Sequence, residues 1–255
     1  MNQAVHPICI TSLGKSYDPK IPIIVDLDLE IPAGKTVAIL GPSGCGKSTL
    51  LKLASGLEKP TTGTVTLDGQ PPISSWRTGK VSLLSSDASL LPWRTVFENV
   101  KLPLDLMGSS STSSDVKCRQ ALERLRIKEL EDQFPHQLSD GQRQRLRLAQ
   151  SMVTDPAIVL LDEPFSNLDE GLRRLLLVDL ANYMDDKSRT SILVTHYAFE
   201  AAAVAETVLI FDGPPLRRCY ETTITVPATD RSLDYIEEQA RHISSELMKV
   251  AERRT

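Results

Sequence analysis

The chain has 255 residues, of which 41% are hydrophobic and 24% charged, and its formal net charge is −4. This composition supports a large buried core and excludes bulk disorder, and without a Lys/Arg block we expect no nucleic-acid partner. The apolar runs are too short to span a bilayer and the N-terminus shows no signal-peptide pattern, so we expect a cytoplasmic protein.

Strand patterns dominate the first third of the chain. Residues 23–31 alternate apolar and polar side chains, which indicates a half-buried strand, and residues 36–40 form an apolar run that predicts a buried one. A glycine-rich loop then leads into a helical stretch at 47–55. Further strands are predicted at 64–67 and 81–84, because turn residues separate these two apolar runs.

The predicted elements become mainly helical near residue 87. Helical patterns at 97–107 and 115–130 flank a polar connection. Strand patterns then return at three places, 158–161, 192–194 and 208–211. Strands separated by helices predict an α/β fold with a mainly parallel sheet and helices on both faces. Residues 87–152 are then a helical insertion between two strands of that sheet.

The end of the chain has a different pattern. From about residue 230, apolar residues recur at helical spacing, which predicts an amphipathic helix packed on the domain. Acidic residues along the same stretch disfavour the alternative of a helix on an anionic membrane surface. We therefore assign residues 1–222 to one domain and residues 223–255 to a helical tail.

Residues 41–49 read GPSGCGKST and match the phosphate-loop pattern G-x-x-x-x-G-K-[ST]. Phosphates need several backbone N–H donors close together, and glycines leave room for that approach next to a helix N-terminus. We predict that Lys47 reaches the β- and γ-phosphates of ATP and that the Ser48 hydroxyl binds Mg²⁺. The loop residues expected to bind ATP are Gly41, Pro42, Ser43, Gly44, Cys45, Gly46, Lys47, Ser48 and Thr49.

A pair of carboxylates follows the apolar strand at 158–161. Ligands of parallel sheets bind outside the carboxyl ends of the strands, so Asp162 and Glu163 are predicted to lie near the phosphate loop. Asp162 is predicted to hold Mg²⁺ and Glu163 to polarise the attacking water. A solvated strand end is the alternative interpretation, which the upstream phosphate loop disfavours.

Residues 138–142 read LSDGQ. Together with GPSGCGKST and LLDEPFSNLD, in this order, they resemble the nucleotide-binding subunits of ATP-binding-cassette (ABC) transporters over residues 8–212. The resemblance implies a P-loop NTPase fold: an ABC nucleotide-binding domain with a mainly parallel core sheet, an antiparallel β part and an inserted helical subdomain. It also implies a head-to-tail homodimer or heterodimer, in which Ser139, Gly141 and Gln142 of one subunit cover the ATP held by the other.

The same resemblance implies further site residues. Tyr17 resembles the aromatic residue that stacks on adenine, although an aromatic at a strand end is the alternative interpretation. Residues 167–169 resemble the loop that contacts the other subunit. His196, in LVTHYAFEA, resembles the histidine that contacts the γ-phosphate and orients the water. The resemblance thus makes Glu163, His196 and Lys47 the candidate catalytic residues.

Residues 90–100 read LLPWRTVFENV and resemble a narrower branch of importer subunits, for nitrate, sulfonates, taurine and thiamine precursors. In that branch the segment forms part of a groove that grips a helix of the membrane permease, and Leu91, Pro92 and Trp93 would supply an apolar anchor. Trp93 in the core is the alternative. The resemblance implies an ATPase at the cytoplasmic face of the membrane, served indirectly by an extracytoplasmic solute-binding protein.

Ser86 stands where the family has a glutamine that reaches Mg²⁺ and the attacking water. Serine is too short for that contact, although a bridging water or Asp87 could restore it. We therefore predict weaker Mg²⁺ coupling and slower hydrolysis than in a family member with glutamine.

Asp140 stands where the family has glycine. Its carboxylate would repel a γ-phosphate unless it points to solvent or caps the following helix. Of these arrangements the cap is the preferred one.

Three functions are therefore compared. The first is an active importer ATPase. The second is a regulatory or asymmetric cassette partner that binds ATP but hydrolyses it poorly, which Ser86 favours and which Glu163 and His196 oppose. The third is a cassette protein without a membrane partner, which the single compact cassette and the LLPW segment disfavour.

Overall fold

The computed structural model describes residues 7–85, 89–109, 112–166, 168–185 and 188–252. Its strands, in chain order, are β1 (Ile8–Asp18), β2 (Ile21–Ile31), β3 (Thr36–Leu40), β4 (Thr62–Leu67), β5 (Val81–Leu84), β6 (Ile158–Asp162), β7 (Thr190–Val194), β8 (Thr207–Asp212) and β9 (Arg217–Thr223). Its α-helices are α1 (Lys47–Ser55), α2 (Pro72–Arg77), α3 (Val96–Leu106), α4 (Thr112–Arg124), α5 (Asp140–Met152), α6 (Glu170–Met184), α7 (Ala198–Val204) and α8 (Leu233–Glu252).

The larger sheet has the strand order β5-β6-β7-β3-β8-β9. Its strands pair in parallel except for the antiparallel pair β8–β9. Strands β3, β6 and β7 are buried along their whole length, which explains why their sequences are mostly apolar. This arrangement confirms the predicted mainly parallel sheet.

The smaller sheet is antiparallel, with the order β2-β1-β4. Its buried apolar side chains share one core with α1 and with one face of the larger sheet. This sheet confirms the antiparallel part of the fold. Strand β1 was not predicted from the sequence, although β2 and β4 were.

Helices α3, α4 and α5 lie between β5 and β6 in the chain and pack on one another. Val100 of α3, Leu122 of α4 and Leu146 of α5 are fully buried in one core that continues beneath α6. The helix predicted at 115–130 ends earlier, at Arg124, because Arg126 adopts a left-handed conformation with φ 56° and a 3₁₀ turn follows. These helices form the inserted subdomain.

Helix α8 packs against α7 and β8 through Ala240, Ile243 and Val250. Strand β9 ends at Thr223, one residue beyond the predicted boundary, and the domain bounds stay a prediction. Among the helices that the structure describes, none combines the length and the apolar character needed to cross a membrane.

Candidate functional site

The phosphate loop joins the buried strand β3 to α1. Gly41, Gly44 and Gly46 have φ values of 155°, 77° and 114°, in the left-handed region that glycine adopts without strain. A Cβ atom at Gly41 would lie 2.3 Å from the carbonyl oxygen of Phe211. Glycine is therefore required at Gly41 by space as well as by backbone conformation, and the loop backbone stays open for a close approach.

Lys47 and Ser48 begin α1. The Lys47 Nζ atom donates to the carbonyl oxygens of Gly41 and Pro42 at 2.8 and 2.9 Å, and the residue is only 7% exposed. Its ammonium group thus lies inside the loop. Ser48 is hydrogen-bonded through its side chain to Asp162, so the loop and the end of β6 meet as predicted from the sheet.

Asp162 and Glu163 end β6 in different surroundings. Asp162 is 3% exposed, and burial raises its pKa, although the hydrogen bond with Ser48 opposes the rise. Glu163 has a left-handed backbone with φ 50°, and its side chain is 34% exposed. One carboxylate is therefore buried against the phosphate loop, and the next is open to solvent.

His196 follows β7, the neighbour of β6 in the sheet. Its Nδ1 atom lies 3.5 Å from Oε1 of Glu163, and its side chain is 46% exposed. The Glu163 N–H donates to the carbonyl oxygen of Val194 at 2.9 Å, which joins the two strand ends. The structure thus brings Glu163 and His196 together beside the Asp162–Ser48 contact.

Ser139, Gly141 and Gln142 lie at the N-terminus of α5. The Ser139 hydroxyl accepts from the Gln142 N–H at 3.3 Å, and the Gln142 side chain accepts from the Ser139 N–H at 2.8 Å, which is a capping box. Asp140 is the first helical residue and pairs with Arg143 at 2.5 Å. The predicted Asp140 cap was wrong, because Ser139 occupies the extended position that caps the helix.

Tyr17 lies near the end of β1 and is 60% exposed. Its hydroxyl donates to Glu58 at 2.6 Å, and Lys15 lies 4.7 Å from the ring centroid. Burial pushes the pKa of Glu58 up, but hydrogen bonds from Tyr17 and Lys15 bring it below its ordinary value. The ring is therefore held in place at the surface, and its role in stacking on adenine stays a prediction.

Trp93 is 71% exposed, so the alternative of a core tryptophan was wrong. The turn that carries it is fixed by Asn99, which is fully buried in α3. The Asn99 side chain accepts from the Leu91 N–H at 2.8 Å and donates to the Arg94 carbonyl at 3.0 Å. The segment thus presents an indole at the surface from a hydrogen-bonded turn.

Three positions named in the predictions, Ser86, Asp87 and Asn167, lie outside the described residues. The neighbours of Asn167 are described: the Asp169 side chain caps α6 by accepting from the Leu172 N–H at 3.0 Å. Part of the loop predicted to contact a second subunit is therefore fixed by the start of a helix.

Two buried polar side chains next to the site, those of Gln144 and Glu200, were not predicted from the sequence. Gln144 of α5 donates to the carbonyl oxygen of Pro164 at 2.8 Å, which ties the helical insertion to the loop after Glu163. Glu200 of α7 is 1% exposed beneath the His196 loop. The spacing of apolar residues predicts which faces of helices and strands are buried, but it does not predict buried polar contacts, so neither position could be singled out from it.

Residues 24–166 match the ABC transporter family, and the chain belongs to that family. It is 36% identical over 212 residues to the Fe(3+) ions import ATP-binding protein FbpC of Mannheimia succiniciproducens, over 83% of this chain and 60% of that protein. It is 37% identical over 195 residues to the taurine import ATP-binding protein TauB of Pseudomonas aeruginosa, over 76% of this chain and 73% of that protein. The chain thus spans less than two thirds of the length of the first of these relatives.

Solved structures share the fold. The dimeric structure of a post-hydrolysis state of the ATP-binding cassette MJ0796, bound to ADP and Pi, superposes with a TM-score of 0.79 and 27% identity. The match covers 86% of this chain and 99% of that one. Family membership and this likeness confirm both the resemblance drawn from the motifs and the predicted fold class.

Proposed function

We propose that the chain binds and hydrolyses ATP as a subunit of an ABC importer, and that a pair of such subunits energises uptake of a small solute through membrane permease subunits. One observation carries the proposal. The buried Asp162 carboxylate meets Ser48 of the phosphate loop, while the Glu163 and His196 side chains lie 3.5 Å apart beside this contact. The dimeric, ADP- and Pi-bound cassette with the same fold supports it.

The residues present fit a magnesium ion. Mg²⁺ prefers oxygen ligands, and the Ser48 hydroxyl and the Asp162 carboxylate are two oxygen donors already held together. Bound with ATP, Mg²⁺ supplies positive charge that neutralises the β- and γ-phosphates. Lys47 adds a fixed positive charge inside the same loop. The site therefore concentrates cationic and N–H groups where a triphosphate has its negative charge.

Glu163 and His196 carry the chemistry on the water side. Glu163 is exposed enough to meet a water molecule, and its carboxylate accepts a proton from that water as the water attacks. His196, next to this carboxylate, helps to orient the water and contacts the γ-phosphate. The second subunit completes the site with its Ser139, Gly141 and Gln142, in a homodimer or a heterodimer.

The proposal extends to the membrane partners. The exposed Trp93 and the LLPWRTVFENV segment support docking to a permease helix at the cytoplasmic face. The likeness to TauB and the motif together favour a nitrate-, sulfonate-, taurine- or thiamine-precursor-like solute, delivered by an extracytoplasmic binding protein. The FbpC relatives are named for import of Fe(3+) ions, so ferric ion is the alternative solute to compare with taurine in an uptake assay.

The test is reconstitution of the chain in proteoliposomes with a candidate membrane permease of the importer class. We expect ATP-driven uptake of a sulfonate such as taurine, and loss of permease binding in Trp93→Ala. Met248→Ala is the matched control, because Met248 is 65% exposed on α8, in another part of the surface. Permease binding that survives Trp93→Ala would reject the docking role, and uptake of ferric ion alone would reject the solute class.

A second function is favoured by one observation. Ser86 replaces the glutamine that the family uses near Mg²⁺, which fits a regulatory or asymmetric cassette that binds ATP and hydrolyses it poorly. The two functions differ in the turnover of the purified chain. An importer ATPase loses its turnover in Glu163→Gln, whereas a regulatory partner hydrolyses no faster than that variant.

A further inference from the structure

A buried ion pair lies beneath the two loops that carry Glu163 and His196. Arg173 belongs to α6, which follows the loop that starts at Glu163 after β6 (the Glu163 loop). Glu200 belongs to α7, which follows the loop between β7 and α7 that contains His196 (the His196 loop). Their Nε and Oε1 atoms are 3.7 Å apart, and the Glu200 side chain is only 2% exposed. The pair thus joins the first turns of two helices whose preceding loops meet at the candidate active site.

Glu200 fixes the loop around His196. The Thr195 hydroxyl donates to Oε2 of Glu200 at 2.5 Å and accepts from the Tyr197 N–H at 3.0 Å. Both sequence neighbours of His196 are therefore held, one by Glu200 directly and the other through Thr195. The imidazole itself stays 46% exposed.

Arg173 contacts both loops at once. Its Nη2 atom donates to the carbonyl oxygen of Leu168, in the loop after Glu163, at 3.0 Å. Its guanidinium carbon also lies 4.3 Å from the centroid of the Tyr197 ring, and that ring lies 4.0 Å from the His196 ring, centroid to centroid. The Arg173 side chain thus contacts both loops.

We propose that the Arg173–Glu200 pair is a positioning device that sets the placement of His196 relative to Glu163 for attack on ATP. The proposal rests on the proposed function, since this placement affects turnover only if the two side chains act in hydrolysis. A buried ion pair is a weak source of stability compared with apolar side chains of the same size. The contacts from this pair to both loops are therefore better explained by a role in placing the loops than by a contribution to the stability of the fold.

The electrostatics link the pair to the site. Burial raises the pKa of Glu200 to about 7, and the negative charge of Glu163 adds to the rise, while Thr195 and Arg173 oppose it. Glu200 and Glu163 therefore influence each other. Experiments on the ionised pair should be done at pH 8, where more of Glu200 is in the ionised than in the protonated form.

The experiment combines a structural and a kinetic measurement on Glu200→Gln. The amide keeps the shape and the acceptor for Thr195 but removes the charge that faces Arg173. With Mg–ATP at pH 8 we expect kcat to fall about tenfold, because a displaced catalytic group loses its alignment, while KM for ATP stays within about twofold. In ring-selective histidine NMR, the His196 resonance, assigned with His196→Gln, should shift.

The matched control is Glu221→Gln, which removes one partner of the exposed Arg218–Glu221 pair on β9. This variant should leave kcat and the His196 resonance unchanged. If Glu200→Gln does not unfold cooperatively, Arg173→Lys is used for the same test. Lysine keeps the positive charge but loses the contacts of the planar guanidinium group with Leu168 and Tyr197. The same shift and the same split between kcat and KM are expected from it.

The outcomes separate this inference from the proposed function. An unmoved His196 resonance with wild-type kcat in folded Glu200→Gln overturns the positioning role. A shifted resonance in a chain whose wild-type form hydrolyses no ATP upholds the positioning and rejects the proposed function. A fall in kcat with an equal fall in ATP affinity points to loss of the fold around the site and also overturns the inference.

Discussion

Asp162 and Glu163 are neighbours in sequence but differ in environment. Asp162 continues the buried strand and is 3% exposed, whereas the left-handed backbone of Glu163 directs its side chain, 34% exposed, away from the strand. Adjacent carboxylates in unlike surroundings can take unlike roles, one toward a metal ion and one toward water. The pairing of a phosphate loop with a strand-end D-E predicted this arrangement from the sequence.

Other residues of the site could not be predicted in the same way. The pattern of apolar runs could not predict that Glu200 and Gln144 are buried, because buried polar contacts depend on which loops meet in three dimensions. Asp140 was assigned the wrong role because serine and aspartate are both good caps, and only the backbone shows which of them precedes the helix. The ATP-binding roles of the loop residues stay predictions.

Glu200 makes the stability of the chain depend on pH. Its carboxyl has a pKa of 4.5 when unperturbed and about 7 in the fold, so the folded chain binds this proton more tightly. The resulting stabilisation is complete below pH 4.5 and is lost as the pH rises through 7. Relative to Glu200→Gln, the wild-type free energy of unfolding should therefore fall by up to about 3 kcal/mol across this range.

Urea unfolding of both chains between pH 5 and pH 8 measures this difference. The wild type and Glu200→Gln have all their other titratable groups in common, so most of the contributions of those groups cancel in the difference between the two unfolding free energies. A difference in unfolding free energy that stays constant with pH would show that Glu200 is ionised throughout, as in an ordinary exposed carboxyl.

Ser86 gives a second prediction at the scale of one residue. Glutamine is longer than serine and restores the reach toward Mg²⁺ that the family has. Ser86→Gln should therefore raise the steady-state rate of ATP hydrolysis severalfold, measured as phosphate release. Ser89→Gln, at a nearby exposed position, is the control that should leave the rate unchanged. Equal rates for Ser86→Gln and the wild type would mean that Ser86 does not limit turnover.

Elements with a strong local signal were predicted well. Strand β3 and helix α1 were predicted with the bounds that the structure has, because an apolar run and a glycine-rich loop mark their ends. Strands β1 and β9 were missed. β9 is a largely polar strand at the edge of its sheet, and β1 contains several register shifts together with a left-handed Ser12, so neither shows clean alternation.

The turn that presents Trp93 depends on α3. Asn99→Ala would leave the Leu91 N–H and the Arg94 carbonyl, both partly buried, without their side-chain partner, and each such group costs about 1–3 kcal/mol. We expect a loss of about 2–4 kcal/mol in unfolding free energy by urea titration. Asp105→Ala, at an exposed position of the same helix, should cost less than about 0.5 kcal/mol. Equal losses for the two variants would reject the role of Asn99.

In the molecule as a whole, the LSDGQ segment at residues 138–142 and the phosphate loop belong to different parts of the fold. The segment starts α5 in the helical insertion, while the loop starts α1 on the sheet. Gln144 connects the two parts through Pro164, next to Glu163. The parallel sheet and the insertion were predictable from alternating strands and helices. The strand order was not, because it depends on long-range pairing that local patterns do not encode.

We propose that this chain hydrolyses ATP at a site that a second subunit completes. The direct measurement is phosphate release by the purified chain with Mg–ATP over a range of protein concentrations, beside Glu163→Gln. We expect a rate per subunit that rises with concentration, as dimers form, and a loss of about 10²–10⁴-fold in Glu163→Gln. Turnover in Glu163→Gln equal to that of the wild type would contradict it.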